Sequence, residues 1–104
     1  MRIRYIIREN IQSKEKELAY KLLDQFIEEL TTVGIYDDDT GEHFRSKHEI
    51  LKWYYDEFQS AEGDVYYLES YGIVKTLVDN IGLSTEISID YVMEFLENKL
   101  NQGD

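Results

Sequence analysis

Hydrophobic residues recur every three or four positions along most of this chain, the period of a helix with one buried face. The clearest stripe is Leu18, Leu22, Leu23, Phe26, Ile27, Leu30 and Val33, which predicts a helix over 14–32. Ser13 stands where an N-cap belongs, Glu15 and Glu17 follow in the first turn, and Gly34 suits the position just past the end. Upstream, Ile3, Ile6, Ile7 and Ile11 also keep helical spacing, while Ile3, Tyr5 and Ile7 alternate with Arg2, Arg4 and Arg8. Ile6 breaks that alternation, so a helix over 2–11 is preferred to a short N-terminal edge strand.

Residues 34–45 carry the turn-forming run Asp37 to Gly41 and predict a loop, with Ile35, Tyr36 and Phe44 pinning its ends. Ser46 and Glu49 then make a capping-box spacing that opens a helix over about 47–60, with Ile50, Leu51, Tyr54, Tyr55 and Phe58 as its stripe and Trp53 on the flank. Asp64 can cap a third helix through Val65, Leu68 and Tyr71, interrupted at Gly72. Val and Tyr also favour a strand near 64–70, which is the alternative there. Ile73 to Ile81 give further helical turns ending at Gly82, and Ile89, Val92, Met93, Leu96 and Leu100 predict a last helix starting near Ser84 or Ser88. Residues 101–104 are expected to fray. The pattern therefore predicts a mostly α fold, a bundle of four to five short helices. The alternative is an α+β domain with strands near the N-terminus and near 64–70.

Composition narrows the function classes. With 104 residues the chain forms one domain, residues 1–104. It has no apolar run long enough for a membrane span and no signal-peptide pattern at Met1 to Asn10, so a cytoplasmic location is expected. The absence of cysteine removes disulfides, thiolate metal sites and thiol nucleophiles. A net charge of -11 repels nucleic-acid phosphates and acidic membranes and attracts basic partners. That charge is unevenly placed. Residues 1–33 are balanced, whereas Trp53 to Val74 hold Asp56, Glu57, Glu62, Asp64 and Glu69 with no Lys or Arg.

Candidate chemistry is sparse. Asp37, Asp38, Asp39, Glu42 and His43 are oxygen-rich, but no register over them fits a calcium loop, so a solvated turn is expected. His43 and His48 are five apart and do not share a helix face. The six glycines are solitary, so there is no phosphate-cradling loop. The sequence implies no cofactor, no metal and no catalytic set, and a non-enzyme is expected.

The same Trp53–Val74 stretch also holds Trp53, Phe58 and the tyrosines Tyr54, Tyr55, Tyr66, Tyr67 and Tyr71. Adjacent tyrosines cannot all face inward, and Tyr and Trp beside carboxylates suit an interface that steers a basic protein. The expected protein-binding residues are Trp53, Tyr54, Glu57, Asp64, Tyr66, Tyr67 and Glu69, centred on Asp64 and the tyrosine pair, with exposed edges of Trp53 and Tyr54.

The run Asp64-Val65-Tyr66-Tyr67, followed by Gly72-Ile73-Val74, resembles the acidic tyrosine-pair region of the small helical immunity proteins that neutralise nuclease colicins. The likeness spans about a dozen residues. That family spaces its Asp and tyrosine pair one residue further apart and has more residues before its Gly-Ile-Val. The resemblance implies that Asp64, Tyr66 and Tyr67 anchor a basic partner. The expected function is a non-catalytic acidic module that inhibits, neutralises or regulates a basic protein, without direct nucleic-acid binding. The alternatives are a DNA-mimic inhibitor of a nucleic-acid-binding protein and a structural or self-associating protein such as a homodimer.

Overall fold

The computed structural model describes residues 2–102, with side chains from 14 to 101. Five helices and one small hairpin follow in the order α1 (Arg2–Val33), β1 (Ile35–Tyr36), β2 (His43–Phe44), α2 (Lys47–Ala61), α3 (Val65–Leu68), α4 (Gly72–Ile81) and α5 (Thr85–Gln102). The mostly α bundle is the fold that the hydrophobic period predicts.

The first helix differs from expectation in length. The helices predicted over 2–11 and 14–32 are one continuous α1. Ser13 lies inside it, not at its start. No Gly or Pro separates the two stripes, and one interior Ser lowers helix propensity by only about 0.5 kcal/mol, too little to break a helix already held by tertiary contacts. The N-terminal strand of the α+β alternative is thereby corrected to helix.

The strand near 64–70 is also corrected. Asp64 accepts from the backbone N–H groups of Tyr66 (3.1 Å) and Tyr67 (3.4 Å), so the segment turns into α3 before it can extend. The only strands among the described residues lie in the predicted loop. Ile35 pairs with Phe44 and Tyr36 with His43, antiparallel. Ile35 and Phe44 pack on the core, and Tyr36 is exposed. The turn between them is held by Asp37, whose carboxylate accepts from Asp39 N–H at 2.9 Å and Thr40 N–H at 3.3 Å.

Caps delimit the remaining elements much as their residues predict. Ser46 accepts from Glu49 N–H (3.1 Å), and its hydroxyl donates back to the Glu49 carboxylate (2.9 Å). Gly82 ends α4 in the left-handed region. Ser84, not Ser88, caps α5 by accepting from Ile87 N–H at 3.2 Å. Asn101 and Gln102, expected to fray, still belong to α5, and residues 103–104 lie outside the described residues.

Four helices enclose the core. α5 packs against α1, α2 and α4, and α1 also meets α2 and α4, while the single turn of α3 closes the bundle over α2 and α5. Ala19, Leu23 and Ile27 of α1 meet Phe58 of α2, Leu77 of α4, and Val92, Phe95 and Leu96 of α5 inside it. Burying each of the two phenylalanines contributes about 1.5–3 kcal/mol. Partners along α1 and α5 advance together: Tyr91 donates to Glu15 (2.8 Å), Lys16 pairs with Glu94, Asn98 donates to Tyr20 (2.9 Å) and Lys99 pairs with Asp24 (3.0 Å). The two helices therefore run parallel. No helix among the described residues is long and apolar enough to cross a membrane.

Candidate protein-binding face

The aromatic and acidic stretch folds around a residue that sequence reasoning did not single out. Tyr71, the N-cap of α4, packs its ring against four others. Trp53 is stacked on it at 6.4 Å between centroids with planes 28° apart, Phe58 meets it edge-on at 5.7 Å, Tyr54 lies at 6.3 Å and Tyr67 at 5.6 Å. These distances lie in the range where aromatic pairs add attraction beyond their buried area. The Tyr71 hydroxyl donates to the Glu57 carboxylate at 2.8 Å. Its oxygen lies 3.1 Å from the Tyr67 hydroxyl. Tyr71 has one proton to give, so Tyr67 is the donor in that second bond. Burial, helped by the Glu57 carboxylate, pushes the Tyr71 hydroxyl far above its usual range.

Trp53 is the second fixed point. Its indole N–H donates to Asp37 at 3.0 Å, which ties α2 to the hairpin turn. That bond, with help from the backbone N–H groups of Asp39 and Thr40, holds the Asp37 carboxyl below the usual carboxylate range. Asp37 is thus a structural acceptor. Among the described residues no group of three or more acidic or histidine side chains is placed to hold a metal ion.

The seven residues expected to bind are not one patch. Trp53, Glu57 and Tyr67 are brought together through Tyr71. Asp64 and Tyr66 adjoin them along α3, Asp64 as an exposed cap and Tyr66 with 86% of its surface open. Tyr67 is 49% exposed although its hydroxyl is anchored. Glu69 is also exposed but stands at the mouth of a separate groove that it shares with Lys75 and Asp79. Tyr54 is placed differently from expectation: it is only 7% exposed and belongs to the core. It falls four residues from both Ile50 and Phe58, so the buried stripe of α2 takes it inward, and burial pushes its hydroxyl up to about 12. Trp53 is half-buried, as a flank position predicts.

The face can therefore offer one fully presented ring, a second ring held by its hydroxyl, and carboxylates at Glu57 and Asp64, over an aromatic floor. It has no nucleophile–base pair. No protein family, curated protein or solved structure matches this chain. The likeness to the nuclease-colicin immunity proteins rests on the short run at Asp64 and the Gly-Ile-Val that follows.

Proposed function

We propose that this chain is a non-catalytic acidic binding module, and that the face around Tyr66 and Tyr67 takes a basic protein partner, which it inhibits, neutralises or regulates. The observation that carries the reading is the exposure of Tyr66 (86%) and Tyr67 (49%) between Asp64 and Glu69, in a stretch without a Lys or Arg. Exposing two adjacent rings leaves apolar surface in water, and aromatic anchors fixed by a short capped helix lose little side-chain entropy when a partner covers them. The surrounding carboxylates would accelerate encounter with a basic surface and disfavour acidic ones.

The test is capture from extracts of the source cell on the immobilised full-length protein, at low and high salt, beside a Tyr66→Ala/Tyr67→Ala variant. A basic protein held by the parent, released by salt and not held by the variant supports the proposal. Equal recovery on both columns overturns it. Displacement of that protein by duplex DNA, with retention on the tyrosine variant, points instead to a DNA mimic. Sedimentation of the pure chain at two concentrations identifies a self-associating protein.

A further inference from the structure

A groove of about 250 Å³ lies between the end of α2, α3 and α5. Met93 and the edge of Ile89 make its floor, over the buried Phe58 and Leu68; Gln59 lines one side, and Glu62 and Asp90 stand on its rim. No Lys, Arg or His lines it. Three other grooves among the described residues differ on that point. The one on α1 carries Lys16 and Lys21, the one beside Trp53 carries His48 and Lys52, and the one beside Glu69 carries Lys75.

We infer that the groove bounded by Glu62 and Asp90 receives a lysine or arginine side chain of the basic partner. Its aliphatic stem lies on Met93 and the edge of Ile89, and its charged head sits by the two carboxylates. The chemistry of the walls selects that occupant. An apolar floor alone would take any aliphatic side chain, and carboxylates alone would take any cation. A stem with a cationic tip satisfies both, because long basic side chains bury their methylenes while keeping the charge at the surface. The inference rests on the proposed binding face and extends it, since Leu68 of the groove and Tyr66 and Tyr67 of the face share the single turn of α3.

The backbone adds a second observation. The helices α1 and α4 are each followed by a glycine in the left-handed region, Gly34 at φ 79° and Gly82 at φ 69°. After α2 the equivalent position is Glu62, at φ 51° and ψ 38°. A side chain in that region costs roughly 1–2 kcal/mol relative to glycine. Gly63 follows at φ 78°, with open space where a Cβ would be. The chain thus tolerates strain at a helix end where glycine would relieve it, and the result is a carboxylate on the groove rim.

The test is a nuclear magnetic resonance titration of the labelled full-length protein with three capped tripeptides, Gly-Lys-Gly, Gly-Arg-Gly and Gly-norleucine-Gly. Saturating shifts at the Gly63 amide and the Leu68, Ile89 and Met93 methyls are expected with the lysine or arginine peptide, and weaker ones with norleucine. Asp90→Asn and Glu62→Gln should each weaken binding about two- to fivefold, the worth of a partly exposed ion pair. Raising salt from about 20 to about 300 mM should weaken it further. Equal binding of norleucine, or shifts spread over surface carboxylates without focus on the groove, overturns the inference. If the Tyr66 and Tyr67 amides respond to the basic peptides and the groove does not, the groove fails while the binding face stands. Silence at both removes both.

Discussion

Replacing Tyr71 with phenylalanine removes one oxygen from the node that joins the face to the core. The ring keeps its place against Trp53, Tyr54, Phe58 and Tyr67, so packing is unchanged to first order. Two hydrogen bonds disappear, one to the Glu57 carboxylate and one from the Tyr67 hydroxyl. A bond to a charged group is worth about 1.5–3 kcal/mol when buried. Glu57 is half-buried and Tyr67 exposed, so water reclaims most of both freed groups. The expected loss is therefore ~1 kcal/mol. Urea unfolding reads it through Trp53, the single tryptophan, which stacks on the mutated ring. The midpoint should fall by about 0.3–1 M. Pairing the change with Glu57→Gln in a double-mutant cycle should give a coupling of about 0.5–1.5 kcal/mol. By contrast Tyr71→Ala, which also removes the ring, should cost about 3–5 kcal/mol. A Tyr71→Phe protein within about 0.3 kcal/mol of the parent, or a cycle with no coupling, would refute the hydrogen-bonded node.

Three further outcomes follow from the packing. Ser88 is fully buried and its hydroxyl has no hydrogen-bond partner among the described residues, so Ser88→Ala should stabilise the fold by about 1 kcal/mol, raising Tm by about 4–8 °C. A lower Tm would mean that the hydroxyl is satisfied. Gly34→Ala should destabilise by more than about 2 kcal/mol in urea unfolding, because φ is 79° and the new Cβ would stand 2.5 Å from His43 Nε2 and 2.8 Å from the Phe44 carbonyl. Burial raises the Tyr54 hydroxyl from 10.0 to about 12, so above pH 10 the unfolded chain releases a proton that the fold retains. Tyr54 should thus add nothing to the pH dependence below pH 10 and up to ~1.4 kcal/mol per pH unit of lost stability between there and about 12, read as a smaller fall in Tyr54→Phe than in the parent. Urea midpoints near pH 9 and near pH 11 check the sign.

Most of the architecture was legible because it depends on local signals. The capping spacing of Ser46 and Glu49, the Asp64 cap and the glycines at 34 and 82 mark element ends by backbone chemistry that acts within four residues. The errors arise where tertiary contacts decide. Residues 11–14 lack a helix breaker, so two stripes merge into α1 despite a plausible cap at Ser13. The hairpin has two residues per strand, too few for alternation to register. It depends on Asp37 closing the turn while receiving a bond from Trp53, 16 residues away. Tyr54 and Tyr66 are the same residue type in the same acidic stretch, yet one is core and the other is 86% exposed. The α2 stripe places the first. The second depends on how the single turn of α3 meets α2 and α5. Tyr71 was hidden for a related reason: its partners Trp53, Phe58 and Glu57 lie on another helix.

The central claim is that the tyrosine pair on α3 anchors a basic protein partner. Its most direct test is calorimetric titration of the captured partner with the parent, Tyr66→Ala and Tyr67→Ala, each shown to be folded by its urea midpoint. At least one substitution is predicted to weaken binding by ~2 kcal/mol or more, about thirtyfold in Kd. Affinities of both variants within about twofold of the parent would contradict it.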